Sequence, residues 1–137
     1  MKPEEMFEGF DPSKYEEEAR DRWGKTDTYA ESKRRTARYG PDDWAAIRAE
    51  ADAITAAFAD AKRAGVPPHD ASAMAIAEEH RRHIDRWFYP CSPRMHVGLG
   101  EMYVSDERFA ASYEKRLPGL TGYVCEAIRA NASRAAT

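Results

Sequence analysis

Residues 41–64 read PDDWAAIRAEADAITAAFADAKRA. Within this run the apolar positions are Trp44, Ile47, Ala51, Ile54, Phe58 and Ala61. They recur at alternating steps of three and four, so they lie along one face of a helix. Pro41 suits the first turn, where its missing N–H is not needed. Gly65 followed by Pro67-Pro68 ends the helix, because glycine accepts the left-handed cap and proline cannot continue the ladder. One long amphipathic helix of this kind needs other apolar faces to cover it, and the chain on either side supplies them as further helices.

C-terminal to it, Asp70 caps a second helix running to about Phe88. Met74, Ala77, Ile84 and Phe88 form one stripe there, and Ile76, His80, His83 and Trp87 form an adjacent one. Pro90 stops it. A third helix starts at Pro93 with Ser92 as cap and carries Met95, Leu99 and Met102. Ser105-Asp106 opens a short fourth helix with Phe109 and Tyr113 four apart. Pro118-Gly119 opens the last, with Leu120, Val124 and Ile128 inward and a frayed tail after Asn131. Ala, Glu and Arg dominate, and the Asn-Gly and Asp-Gly turns of hairpins are absent. The expected fold class is all-α.

The front of the chain differs in kind. The first 46 residues contain no Leu, Ile or Val. Their apolar groups are Met6, Phe7, Phe10, Tyr15, Trp23, Tyr29, Tyr39 and Trp44, set among dense charge. Ser13 with Glu16 forms a capping-box pattern, and Asp27 can cap a further short helix. So few apolar groups do not offset the ordering entropy of some forty residues, at roughly 1–2 kcal/mol each. Residues 1–40 are therefore expected to be a segment of short helices that settles on the core of residues 41–137, or on a ligand bound to that core, acting as a ligand-ordered lid.

The chain has 137 residues and a formal net charge of −3, which suits one domain with a real core and disfavours direct nucleic-acid binding. No apolar run reaches the roughly 18 residues of a membrane span. The acidic N-terminus lacks a secretory apolar stretch, so a cytoplasmic location is expected. Two cysteines make no disulfide framework there.

Candidate chemistry gathers around Tyr89-Pro90-Cys91-Ser92-Pro93-Arg94-Met95-His96. The flanking prolines hold Cys91 in a turn, near water, just before a helix N-terminus whose N–H groups and dipole favour a thiolate. Arg94 adds a cation, and His96 can orient or polarise the thiol. Read alone, Cys91 is either such a nucleophile or a small apolar filler. Cys125, beside Val124 in the last helix, reads as packing. His80, His83, Cys91 and His96 include zinc-type ligands, but no compact CxxC spacing accompanies them, so no metal is expected. His80 and His83 read as pocket-wall or hydrogen-bonded interior groups. Gly98 and Gly100 inside a helix serve either a close crossing or room for a ligand. Met74, Met95 and Met102 offer adaptable surface or core packing.

The runs His80-Arg81-Arg82-His83-Ile84-Asp85-Arg86-Trp87-Phe88-Tyr89-Pro90-Cys91 and Leu99-Gly100-Glu101-Met102-Tyr103-Val104-Ser105-Asp106-Glu107-Arg108-Phe109 resemble the TipAS antibiotic-recognition domain. Phe10-Asp11-Pro12, Arg22-Trp23-Gly24 and Ala127-Ile128-Arg129-Ala130-Asn131-Ala132 extend the resemblance over nearly the whole chain. It implies a globin-like helical domain without haem that binds thiopeptides, thiazole-rich macrocycles bearing dehydroalanine, as the effector-sensing part of MerR-type transcription regulators or as a free drug-sequestering protein. It also implies that Cys91 adds to a dehydroalanine as the covalent attachment point. The residues expected to touch ligand are Trp23, Trp44, Met74, His80, Trp87, Tyr89, His96, Met102 and Tyr103. Ser92-Pro93-Arg94 and Trp87-Phe88 depart from the family pattern, so the resemblance names a ligand class and not one drug. Because no DNA-binding region precedes Met1, a free-standing or excised form is expected, a monomer or weak dimer without cofactor. The competing expectations are a regulator's sensing domain and, further off, a cysteine-dependent enzyme or a small-molecule or haem carrier.

Overall fold

The computed structural model describes residues 27–135, with side chains from residue 30 onward. Six helices follow one another among them: α1 (Asp27–Thr36), α2 (Pro41–Arg63), α3 (Ala71–Trp87), α4 (Pro93–Ser105), α5 (Glu107–Arg116) and α6 (Leu120–Ala135). No strand occurs among the described residues. The all-α expectation holds, and α6 runs to Ala135, past the point where fraying was expected.

From α2 onward, each helix begins where a nearby side chain serves the N–H groups at its start. In α2 the Asp43 carboxylate accepts from the Gly40 N–H at 3.0 Å, with Pro41 in the first turn. Asp70 accepts from the Ser72 N–H at 3.0 Å, Ser92 Oγ from the Met95 N–H at 3.1 Å, and Asp106 from the Arg108 N–H at 3.0 Å. The start of α6 is served from the preceding helix: the Glu114 carboxylate accepts from the N–H groups of Gly119 and Thr121 and from the Thr121 hydroxyl. That grip fixes how the chain turns from α5 into α6.

The end of α2 sets the direction of everything after it. Gly65 sits at φ 78°. Its N–H reaches Lys62 O, and the Val66 N–H reaches Ala61 O, each at 3.0 Å. This is the paired-bond cap that a left-handed glycine permits. Val66 then packs on the core, and its carbonyl accepts from the Tyr123 hydroxyl at 2.7 Å. The short link that follows sends α3 back along α2.

The largest helix–helix interface joins α4 and α6. Gly100 permits it: a Cβ there would stand 3.2 Å from Ile128 Cδ1 and 3.6 Å from the Cys125 Cα. The close-crossing role thus falls to Gly100, whereas Gly98 faces open space.

Most of the buried apolar residues fall into two clusters at opposite ends of the α2–α3 pair. The first is mostly aliphatic: Ile54, Phe58, Ala59, Ala73, Ala77, Leu120, Tyr123, Val124, Ala127 and Ile128. Here Ala59 is buried, while Ala51 and Ala61 are only half-buried. The second is rich in aromatics and sulfur: Trp44, Ile47, Ile84, Phe88, Cys91, Leu99, Met102 and Phe109, with Tyr39, Trp87, Tyr89, Met95 and Tyr103 packed against it.

Candidate ligand-binding site

The second cluster lies where α3 ends, and the chain ahead of α2 helps to build it. Arg35 of α1 donates through Nη1 to Asp85 O at 2.6 Å, and the Tyr39 hydroxyl donates to Trp87 O. Both acceptors are last-turn carbonyls that α3 itself leaves unpaired. The Tyr39 ring stands edge-on to Trp44 and to Trp87, with centroids 5.6 Å apart in both cases. Residues 27–40, the part of the expected lid among the described residues, are thus docked on α3. Trp23 and the rest of the expected lid lie outside the described residues.

Below this aromatic group sits Glu50 of α2. It accepts from Trp87 Nε1 at 3.3 Å, lies 2.7 Å from His83 Nδ1, and pairs with Arg86 at 3.3 Å. Burial works to raise its pKa, but the His83 and Trp87 hydrogen bonds and the Arg86 charge outweigh it and hold the carboxyl below its ordinary value.

Cys91 lies against the same cluster with 1 % of its surface exposed. Its backbone is held from α3 on both sides: the N–H donates to Asp85 Oδ1 at 2.8 Å, and the carbonyl accepts from Arg81 Nη1 at 2.7 Å. Burial pushes the thiol up to about 12; the Arg81 charge works against that, and Asp85 and Glu78 add to it. This corrects the expectation of a water-facing, partly ionised sulfur activated by Arg94 and the α4 N-terminus. The prolines do fix the turn, but α3 and α4 pack so that the turn tucks its side chain inward. The cation acting on the sulfur is Arg81, one turn before the end region of α3.

His80 and His96 form a buried pair, with Nδ1 of one 2.7 Å from Nε2 of the other. Desolvation lowers both: His80 falls well below the usual imidazole value, with the neighbouring imidazoles adding, and His96 falls to about 4, with Arg81 adding. His80 stands edge-on to Phe58 on one side and to Tyr103 on the other, at 6.4 and 6.1 Å, so it bridges the two clusters. His96 is 1 % exposed, and its Nδ1 has no hydrogen-bond partner among the described residues. The expectation that His96 polarises the thiol is not met in this geometry: its Nε2 is engaged by His80, its Nδ1 makes no hydrogen bond, and Cys91 Sγ reaches Ser92 O at 3.8 Å instead. The expectation for His80 and His83 as hydrogen-bonded interior groups is met.

Of the other residues read from the sequence, Trp44, Trp87, Tyr89, Met102 and Tyr103 come together with Cys91. Met74 does not: it lies in the first turns of α3, roughly 20 Å along the helix from Trp87 at 1.5 Å per residue. Sequence reasoning missed Phe109, Glu50, Asp85 and Arg81, and it placed Tyr39 and Phe88 only among the general aromatic positions. The spacing of Glu78, Arg81 and Asp85 along one face of α3 was visible, but not that this face meets the turn. Among the described residues, no group of three or more His, Cys, Asp or Glu side chains is placed to hold a metal. Nor is any described helix long and apolar enough to cross a membrane.

Comparison with known proteins gives this geometry a context. The TipAS antibiotic-recognition domain pattern matches residues 15–131. The HTH-type transcriptional activator TipA of Streptomyces coelicolor is 50 % identical over 137 residues, covering 98 % of this chain and 54 % of that protein. The chain therefore spans about half the length of the curated relatives it matches. A solved TipAS from Streptomyces lividans in complex with nosiheptide, a thiopeptide antibiotic, is 48 % identical with a TM-score of 0.89, covering 100 % of this chain and 98 % of that one. The antibiotic-binding domain of a TipA-class multidrug resistance transcriptional regulator is 46 % identical with a TM-score of 0.62, over 66 % of this chain and 97 % of that one.

Proposed function

Since the chain belongs to the TipAS antibiotic-recognition domain family, we propose that it binds thiopeptide-like, thiazole-rich macrocycles at the aromatic end of its helix bundle. The end-to-end likeness to a TipAS bound to nosiheptide carries this reading. The composition of the second cluster supports it in physical terms. Flat thiazoles stack on the edges and faces of Tyr39, Trp44, Trp87 and Tyr103, while Met95 and Met102 adapt to irregular outlines. Residues 1–40 close over the bound drug, on the strength of their aromatic, aliphatic-poor composition and of the docking of residues 27–40 on α3.

Cys91 attaches the drug by addition to a dehydroalanine. The sulfur bonds to the methylene carbon, the C=C π bond breaks, and the α-carbon takes a proton in place of the one the thiol gives up. Nothing leaves and nothing is oxidised, so the event happens once per molecule without turnover. Because the thiol is buried, a drug must part the aromatic cluster to reach it, and the reaction follows binding. The protein then acts in the cytoplasm as a monomer or weak dimer, either as a drug-sequestering protein or as the sensing half of a regulator. The matched relatives' extra length favours the second role for a longer product.

Intact-mass spectrometry after incubation with nosiheptide tests the reading. The expected result is one drug mass added, absent in Cys91→Ala, with binding retained by that variant. No added mass at saturating drug would confine the interaction to the noncovalent kind, and no binding by either protein would overturn the proposal.

A further inference from the structure

Along α3, Glu78, Arg81 and Asp85 share one face, and that face meets the turn holding Cys91. Glu78 grips Arg81 with both carboxylate oxygens, Nε at 2.9 Å and Nη2 at 2.5 Å. Asn131 of α6, buried, donates to the same carboxylate at 3.0 Å and so fixes Glu78 from the other side. The fork is thereby aimed: with Nε and Nη2 committed, Nη1 is left to hold the Cys91 carbonyl at 2.7 Å. Asp85 holds the N–H of the same residue at 2.8 Å. With both backbone groups clamped, the sulfur has one remaining side-chain rotation.

We propose that Arg81 is the positioning residue for Cys91 addition: its guanidinium fixes the residue and supplies the cation that stabilises the sulfur as its proton leaves, with Glu78 setting how much of that charge the sulfur feels. The inference rests on the covalent reading above. The groups facing the thiol divide clearly by sign. Arg81 favours the anion, and Asp85 and Glu78 oppose it; Glu78 is shared between Arg81 and the exposed Arg82, whose Nε lies 3.1 Å from it. A guanidinium held on the carbonyl of the same residue acts on a buried sulfur through a medium less screening than water. Holding the sulfur in one place also gives an entropic advantage to a drug already bound.

Charge and scaffolding make opposite forecasts for two neighbouring variants. If charge acts, removing the cation (Arg81→Gln) slows addition, and removing its counter-anion (Glu78→Gln) speeds it. If the network only holds the turn together, both variants slow addition or neither changes it. The experiment uses the full chain and follows adduct formation at Cys91 from pH 6 to 9 by mass spectrometry, with the Cys125 peptide as internal reference. Nosiheptide is one electrophile and acrylamide, which needs no binding site, is the other. Arg81→Gln is expected to slow acrylamide addition about tenfold and move its pH profile about one unit alkaline, since one pKa unit is a tenfold change in thiolate. Arg81→Lys keeps part of the rate, and Glu78→Gln moves the profile the other way. Superimposable profiles, or shifts of the same sign in Arg81→Gln and Glu78→Gln, would overturn the assignment. Wild-type protein that takes acrylamide but no nosiheptide mass removes the covalent reading instead, and the acrylamide profiles still decide the role of Arg81.

Discussion

The two ends of the α2–α3 pair are built from different materials. At the turn end, alanines and branched aliphatics of α2, α3 and α6 interlock, and Phe58, Leu120, Val124 and Ile128 are fully covered. At the open end, rings and sulfurs gather, several of them half-exposed, and polar groups run among them: Glu50, Tyr39, Asp85 and Arg81. Aliphatic packing is dense, and truncating it leaves cavities. Rings with polar edges and flexible thioethers can part and re-pack around another flat molecule. On the binding mode proposed above, this difference makes one end of the bundle scaffold and the other receptive surface.

Substitutions at the two ends should separate these roles, beginning with the largest effect. Phe58→Ala is expected to lose about 3–5 kcal/mol of stability in denaturant titrations, while the folded fraction keeps its drug affinity. Trp87→Ala, at a half-buried ring, is expected to lose only about 1–2 kcal/mol and yet weaken thiopeptide binding more than tenfold by calorimetry. Equal loss of affinity in both variants would dissolve the distinction.

Acid probes the seam between the ends. His80 and His96 have folded pKa values below the ordinary 6.5, His96 at about 4. The unfolded chain therefore binds protons more readily between those values, and stability falls as pH drops. The contribution of His96 is complete above about pH 6.5 and is lost toward pH 4, at up to about 1.4 kcal/mol per unit, and His80 acts in the same direction. Glu78, held at about 2 by Arg81 and Asn131 against burial, gives way in a separate, lower window, from about pH 4.5 downward. Thermal melts of wild type and of His80→Gln/His96→Gln should diverge above pH 4.5, the double variant having the flatter slope. Parallel slopes would contradict the seam.

Smaller effects sharpen the picture. Tyr39→Phe removes the bond to Trp87 O and is expected to cost about 0.5–1.5 kcal/mol, read by hydrogen exchange at the end of α3. Gly98→Ala meets open space and should gain up to about 1 kcal/mol of helix propensity. Gly100→Val, pressed against Ile128 and Cys125, should lose about 1–3 kcal/mol.

How far the sequence reveals these features depends on their range. The three-and-four spacing of Trp44, Ile47, Ile54 and Phe58 marks the buried face of α2, and Asp70, Ser92 and Asp106 mark helix starts, because those are contacts within one or two turns. The aromatic content of the receptive end is likewise visible. Its geometry is not. Whether Cys91 faces water or the core depends on how α3 and α4 cross. The pairing of His80 with His96, and the hold of Arg81 on the Cys91 carbonyl, depend on the same crossing. Tyr39 and Arg35 close the end of α3 from across a loop, which no periodic pattern records.

Amide hydrogen exchange with and without a thiopeptide addresses the division between scaffold and receptive surface most directly. New protection is predicted across residues 1–50 and 84–103, with residues 54–77 and 120–128 unchanged. Protection gained mainly in the aliphatic stretches, with the aromatic end unaltered, would contradict it.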